Sequence, residues 1–234
     1  MRRILFLFVL FSVSCKAFSQ DIFDAITTKN YEQLEGFAQS KTGINDIKNN
    51  VTPLIKAVSL NDFKAVKILI ENGADVTLTG KAHWTPLMVA CQQSDFEMTK
   101  YLIEKGSDIN AKDEHNWNPL IIASRNGKTE AVRLLVEKVP TVNCVALDNS
   151  SPLIIAAYKG HFEIVKILLE KGADPNIVDR DSETALFLAA KYGRTEIVKL
   201  LIQHKADKGF VNKDGISICN AAKNNGYSNI CDLL

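Results

Sequence analysis

The chain has 234 residues, of which 46% are apolar and 24% are charged, proportions ordinary for a globular protein with a sizeable core. Its 28 basic and 27 acidic residues nearly cancel, which excludes the strongly basic surface typical of nucleic-acid binding. The 12 glycines and 6 prolines are too few to predict a long unstructured linker.

Residues 1–19 have the pattern of a secretory signal peptide. Arg2 and Arg3 precede an apolar stretch of about ten residues, whereas a membrane-spanning helix needs about twenty. Small residues at Ala17 and Ser19 suit cleavage before Gln20. The sequence therefore predicts a periplasmic or secreted protein with no membrane insertion after cleavage. Cleavage would leave 25 basic and 27 acidic residues, a balance that predicts no nucleic-acid partner.

Two other fates of this segment stay open. The residues Ser12-Val13-Ser14-Cys15 loosely resemble a bacterial lipidation motif, although Ser12 stands where a leucine is expected. Lipid attachment at Cys15 would tether the protein to a membrane. Alternatively, the apolar stretch is retained as a buried helix or an anchor.

A three-residue motif recurs along the rest of the chain. Thr52-Pro53-Leu54 returns in related form every 33 residues, without an insertion. The six occurrences begin at Thr52, Thr85, Asn118, Ser151, Thr184 and Ser217. A fixed interval of this length is the signature of a solenoid of stacked repeats.

The pattern resembles the ankyrin-repeat family, whose units open on Thr-Pro-Leu-His-x-Ala. The resemblance implies an all-α solenoid of stacked helix-turn-helix units with short finger hairpins. It predicts an N-terminal capping unit over 20–51, five 33-residue repeats and a truncated C-terminal capping unit over 217–234. The five repeats span 52–84, 85–117, 118–150, 151–183 and 184–216. We number these units one to seven.

Unit five illustrates how one repeat folds. Ser151 can cap the first helix, because its hydroxyl accepts a hydrogen bond from an otherwise unpaired amide. Pro152 follows at the first helical position, where a missing N–H does no harm. Gly160 and Gly172 are placed to end the first and second helices. The second helix carries apolar residues at helical spacing, namely Phe162, Ile164, Val165, Leu168 and Leu169.

The sequence departs from the family pattern in two places. The motif histidine is replaced in every unit, by Ile55, Met88, Ile121, Ile154, Phe187 and Asn220. We expect apolar contact to replace the hydrogen bond that this histidine makes. In unit four, Val139-Pro140-Thr141 replaces Gly-Ala-Asp, which predicts that Pro140 ends the second helix. This stretch is either a local kink shaped for a partner or neutral variation in a loop.

Residues suited to catalysis or metal binding are sparse. The four histidines are His83, His115, His161 and His204, and none is paired at a spacing typical of a zinc site. The sequence therefore predicts no enzymatic activity, no cofactor and no metal. An alternative is a metal-dependent module that uses His83, His115 and Cys91.

Four cysteines follow the predicted cleavage site, and two of them lie close together in unit seven. Cys219 and Cys231 fall on the two facing helices expected there, so they could form a disulfide in an oxidising compartment. Such a bond would fasten the C-terminal cap. The other possibility is that both remain buried thiols, which are common and inert.

The expected partner-binding surface follows from the family resemblance. Ankyrin proteins commonly bind partners on the concave face, which is formed by the fingers and the first helices. Both tryptophans of the chain, Trp84 and Trp117, lie just before an opening motif, in adjacent fingers. Tryptophan, tyrosine and arginine are enriched at binding hot spots. The predicted partner-binding residues are Trp84, Trp117, Gln92, Gln93, His115, Arg125, Tyr158, Lys159, Lys191 and Tyr192.

These observations predict a monomeric scaffold that binds a partner protein. One specific form is an inhibitor or immunity protein that occludes a toxin or hydrolase in the periplasm. Alternatively, the two tryptophans serve only to pack neighbouring fingers, and the protein is a structural spacer.

Overall fold

The computed structural model describes residues 21–93 and 96–234. The predicted signal peptide, with Cys15, lies outside the described residues. The described residues form helices and no strands, apart from the isolated bridges Lys48–Val51 and Val211–Ser217. The helices of units one to three are α1 (Ile22–Thr27), α2 (Tyr31–Gln39), α3 (Pro53–Ser59), α4 (Phe63–Glu71), α5 (Pro86–Gln93) and α6 (Phe96–Glu104).

The same pairing continues to the end of the chain. Units four to seven contain α7 (Pro119–Arg125), α8 (Thr129–Val136), α9 (Pro152–Lys159), α10 (Phe162–Glu170), α11 (Ala185–Lys191), α12 (Thr195–Gln203) and α13 (Ile218–Asn224). Two short 3₁₀ helices, Lys81–His83 and Ser228–Leu233, complete the fold. The first helices α1, α3, α5, α7, α9, α11 and α13 pack on one another in chain order, and the second helices lie behind them. The architecture is the all-α solenoid that the 33-residue interval predicts.

The opening motifs begin the first helices in the expected way. The side-chain oxygen of Thr52 accepts a hydrogen bond from the Ile55 amide at 3.1 Å. Equivalent caps form at the other five motifs, from Thr85, Asn118, Ser151, Thr184 and Ser217. In units two to six the replacements for the family's histidine are buried. Apolar packing therefore takes the place of that hydrogen bond, except at Asn220, which is exposed.

The second helix of unit four ends four residues before Pro140. Helix α8 ends at Val136, and the amides of Lys138 and Val139 both donate to the carbonyl of Leu135. The chain leaves the helix before it reaches Pro140, without the left-handed glycine that ends α10. Thr141 then accepts a hydrogen bond from the Asn143 amide at 3.1 Å, which gives the loop a turn of its own.

The first five fingers form a row in which each is bonded to the next through the backbone. A residue with positive φ recurs every 33 residues, at Asn50, His83, Asn116, Asn149, Ser182 and Gly215. Backbone hydrogen bonds join neighbouring fingers: Lys81 donates to Asn50, Glu114 to Ala82, Leu147 to His115 and Arg180 to Asp148, at 2.7 to 3.1 Å. Because these bonds are spaced along the solenoid, each finger holds the position of the next.

The terminal units are fastened by different means. In unit one, Lys48 pairs with Asp21 at 2.6 Å, and the Tyr31 hydroxyl donates to Asp62. In unit seven, a disulfide joins Cys219 and Cys231, with an S–S distance of 2.11 Å. A terminal repeat has only one neighbour to bury its apolar face, so these contacts supply part of what a second neighbour would give.

The C-terminal cap also depends on one glycine. The ring of Tyr227 lies over Gly193, and a Cβ at that position would fall 2.4 Å from the ring. Gly193 also has a φ of +69°, which disfavours other residues. The turn before α12 is therefore shaped to receive an aromatic side chain from the last unit.

Candidate functional site

A groove on the finger side of the molecule lies between two tryptophans. This groove, which we call the finger groove, has a volume of about 630 Å³. Its walls come from the fingers that precede units three to six and from the end of α7. They include Trp84, Glu114, His115, Trp117, Arg125, Leu147, Asp148 and Arg180. Four residues predicted from the sequence, namely Trp84, His115, Trp117 and Arg125, thus come together in one groove.

Trp117 has both a structural and an exposed side. Beneath it lies a small cluster of buried residues, Ile121, Ala146 and Ile155. Above it, the guanidinium carbon of Arg125 lies 4.8 Å from the centre of the indole ring, within the range of a cation–π interaction. One side of the Trp117 ring therefore packs against the core, and the other side contacts Arg125 at the groove.

The carboxylates of the finger groove have partners within their own fingers. One oxygen of Asp113 accepts the amides of His115 and Trp117, at 2.9 and 2.8 Å. Asp148 accepts the amide of Ser150 at 3.0 Å, and Glu114 lies 3.9 Å from the ring of His115. Within the described residues, neither Arg125 nor Arg180 forms an ion pair with a carboxylate.

A second, smaller groove adjoins the first at the finger of residues 146–150. This tyrosine groove has a volume of about 200 Å³, and its walls include Ser150, Tyr158, Asp179, Glu183 and Tyr192. The rings of Tyr158 and Tyr192 meet edge to face, with centres 4.9 Å apart. Their exposed fractions are 37% and 38%, so this aromatic pair is available to a partner. We call the two grooves together the finger face.

Charged groups flank the tyrosine pair. The ammonium of Lys159 lies 4.7 Å from the centre of the Tyr158 ring. Lys191 pairs with Glu183 at 2.7 Å, and the hydrogen bond to that carboxylate raises the pKa of Lys191. Burial raises the pKa of Asp179, although backbone amides that donate to it oppose the effect. The finger face therefore carries ordered aromatic rings beside fixed positive charges.

A family comparison bears on what such a face does. The family model of ankyrin repeats matches the chain in three copies, over residues 22–113, 112–179 and 172–234. The chain belongs to the ankyrin-repeat family. A search of curated proteins finds no match. Ankyrin repeats generally mediate protein–protein interactions, and the family is typically a non-enzymatic scaffold. No helix in the described part of this ankyrin protein is long and apolar enough to span a membrane.

Four of the predicted residues line neither groove: Lys159 and Lys191, which flank the tyrosine pair, and Gln92 and Gln93. Gln92 and Gln93 are exposed at the end of α5, and the Gln93 side chain donates to the carbonyl of Ser59 at 3.0 Å. Gln93 therefore links two neighbouring units of the ankyrin stack.

The sequence reasoning missed residues at the finger tips. Leu147, which is 63% exposed, and Arg180 occupy the same position of successive fingers, 33 residues apart. The Arg180 side chain donates to the Leu147 carbonyl at 3.1 Å. The interval that located Trp84 and Trp117 would have located these residues too, had the position three residues before each tryptophan been compared across units.

The metal-dependent alternative would require His83, His115 and Cys91 as ligands. Cys91 is fully buried in α5, and burial raises its pKa to about 12, which disfavours the thiolate that binds metals. His83 occupies the left-handed position of its finger. In residues 21–93 and 96–234, no group of three or more His, Cys, Asp or Glu side chains is placed to hold a metal ion.

Proposed function

We propose that this ankyrin protein is a scaffold that binds one partner protein through its finger face, the surface expected to be concave in this family. The observation that carries the proposal is the row of half-exposed aromatic residues set beside cations, Trp117 with Arg125 and Tyr158 with Lys159. Aromatic residues and arginine are the types enriched in the centre of protein interfaces.

The rigidity of the finger face supports tight binding. The first five fingers are bonded to one another through the backbone, and Arg125 and Lys159 already lie against aromatic rings. Binding costs free energy for each side chain that must be ordered, by about 0.5–1.5 kcal/mol. A face whose side chains are held before contact avoids part of that cost.

The test is affinity capture from cells that make the protein, with a variant that removes the exposed aromatic pair. Tyr158→Ala combined with Tyr192→Ala should abolish capture of the principal partner. Phe96→Ala combined with Phe162→Ala is the matched control, because these two phenylalanines have similar exposed fractions, 36% and 38%, and lie on second helices. That control should capture the partner as the unmodified protein does.

The tyrosines are preferable to the tryptophans in this experiment. Trp117 packs on buried residues, so its removal would weaken the fold as well as the face. Equal capture by the tyrosine variant and the unmodified protein would rule out the finger face as the binding site. Loss of capture with the phenylalanine control alone would move the site to the second helices.

We further propose that the protein is exported. The signal-like pattern of residues 1–19 supports this proposal, as does the Cys219–Cys231 disulfide, because disulfides persist in oxidising compartments. Mass spectrometry of the protein isolated from its own cells should find an N-terminus at Gln20. A mass that includes residues 1–19 would contradict export by this route, and added hydrocarbon at Cys15 would indicate a lipid anchor instead.

A further inference from the structure

We infer that the finger groove recognises a carboxylate in an extended segment of the partner protein, held between Arg125 and Arg180, with an adjacent apolar side chain against Trp84 and Leu147. This inference rests on the proposed function and names the chemistry of the segment that the groove takes. The groove, at about 630 Å³, has room for more than one side chain.

The unpaired arginines carry the first step of the argument. Elsewhere on the surface, Arg133 lies 3.5 Å from Glu130 and Lys171 lies 2.7 Å from Glu137. Arg125 and Arg180 line the same groove, yet neither pairs with a carboxylate of the described chain. A guanidinium group presents a planar fork of donors that matches the two oxygens of a carboxylate.

The two arginines are also held in position. The guanidinium carbon of Arg125 lies 4.8 Å from the centre of the Trp117 ring. Arg180 is fixed at its finger tip by one side-chain bond to the carbonyl of Leu147, at 3.1 Å. Each guanidinium carries five N–H donors, so donors remain for a ligand after these contacts.

The acidic residues of the groove restrict which anion can enter. Asp113, Glu114 and Asp148 line its finger side, and their local bonds leave their negative charge in place. These three residues would repel a string of phosphates, which carries several negative charges, more strongly than a carboxylate, which carries one. A single carboxylate can approach the arginines while its neighbouring residues contact the rest of the groove. The geometry therefore favours a peptide over a nucleic acid.

The apolar part of the segment follows from what surrounds the arginines. Leu147 is 63% exposed at a finger tip, and the partly buried ring of Trp84 faces the same groove. These two side chains give the groove an apolar part beside the arginines. We therefore expect an aromatic or aliphatic residue next to the acidic one.

The experiment uses the groove's own tryptophans as the probe. The chain contains two tryptophans, and both line the finger groove, so intrinsic fluorescence reports on its occupancy. A displayed library of random heptapeptides would first be selected against the protein without residues 1–19. The most enriched peptide would then be synthesised, together with a version in which each Asp or Glu is replaced by Asn or Gln, and both would be titrated.

We expect the library to enrich Asp or Glu beside an aromatic or aliphatic residue. The neutral peptide should bind at least about tenfold more weakly, the size expected for loss of a charge-assisted hydrogen bond. Arg125→Gln with Arg180→Gln should cause a similar loss, and Arg125→Lys, which keeps the charge but removes the fork, a smaller one. Arg133→Gln is the matched control and should bind like the unmodified protein. Thermal unfolding of each variant checks that it is folded.

Several outcomes would overturn the inference. These are enrichment of Lys or Arg, enrichment without acidic residues, no enrichment above background, equal binding of the neutral peptide, and tighter binding of a single-stranded oligothymidylate than of the peptide. The proposed function fails separately. If capture of the natural partner is lost in the tyrosine variant but unaffected by Arg125→Gln with Arg180→Gln, the scaffold proposal stands and the carboxylate assignment falls.

Discussion

The opening motifs and the residues that immediately precede them are neighbours in the chain, but they lie under different constraints. The motif leucines of units two to six, from Leu54 to Leu186, are at most 1% exposed. The preceding position holds Val51, Trp84, Trp117, Ser150, Glu183 and Ile216 in successive units. The first position accepts one kind of residue, whereas the second accepts apolar, aromatic, polar and acidic ones.

This difference shows that the 33-residue repeat provides both a buried core position and a variable finger position. The motif leucine lies on a first helix, which packs against its own second helix and against the first helices of both neighbours, so the leucine is buried in every one of these units. The preceding residue lies in a finger and, apart from the buried Ser150, is partly exposed. Packing therefore determines the first position, while the second is free to provide the chemistry of a binding surface.

The largest effect should come from removing a motif leucine. Leu120→Ala removes a side chain with no exposed surface, and we expect the free energy of unfolding to fall by about 2–5 kcal/mol. Leu147→Ala, at an exposed finger tip, should change it by less than about 0.5 kcal/mol. Urea unfolding of the two variants measures both. Similar losses in the two variants would contradict the division between buried and exposed positions.

The next effect tests the unit in which the motif leucine is absent. Cys219 stands at that position and is bonded to Cys231, 12 residues later. Reduction should destabilise the C-terminal unit by about 3 kcal/mol, because the bond restricts the unfolded chain. Hydrogen exchange of α13 with and without reductant measures this. A variant with both cysteines changed to serine should show no response to reductant, and an equal response there would show that the bond is not its cause.

A smaller effect should follow from removing one helix cap. The Thr184 hydroxyl accepts the Phe187 amide at 3.1 Å. Thr184→Ala should lower the free energy of unfolding by about 1 kcal/mol. Thr184→Ser retains the oxygen and should preserve most of that stability in the same urea experiment. Equal losses in both variants would assign the effect to the methyl group rather than to the cap.

The smallest effect should come from the position just before the motif, which Glu183 occupies ahead of Thr184. Glu183 pairs with Lys191 near the surface, so Glu183→Gln should cost less than about 1 kcal/mol at pH 8. The pair raises the pKa of Lys191, so its contribution is complete below the pKa of about 10.4 of an unfolded lysine. It is lost as the pH rises through the higher folded value. The difference between the two proteins should therefore shrink at high pH, and a constant difference would contradict this origin.

Part of the binding surface could be predicted from the sequence. Trp84, His115, Trp117 and Arg125 were selected for residue type and repeat position, and the structure places all four in one groove. Gln92 and Gln93 share a repeat position with other selected residues but lie outside both grooves. The interval gives the position of a residue within its unit, but it does not say whether a side chain reaches a groove or a neighbouring carbonyl.

The unit-four turn shows a second limit. Glycine normally ends the second helix, and Pro140 was expected to replace it. Helix α8 ends at Val136, and the amides of Lys138 and Val139 both donate to the Leu135 carbonyl. The end of a helix depends on which backbone bonds satisfy its last carbonyls, and a single residue type does not determine that.

The sequence by itself determined the repeat, the helix starts and the buried positions, because caps and apolar periodicity act within a few residues along the chain. Tertiary structure decided which side chains share a groove. Arg125 and Arg180 are 55 residues apart in the sequence, and they line one groove because stacking brings their units together. Stacking also left both arginines without a carboxylate partner among residues 21–93 and 96–234, since such pairing depends on distances between units.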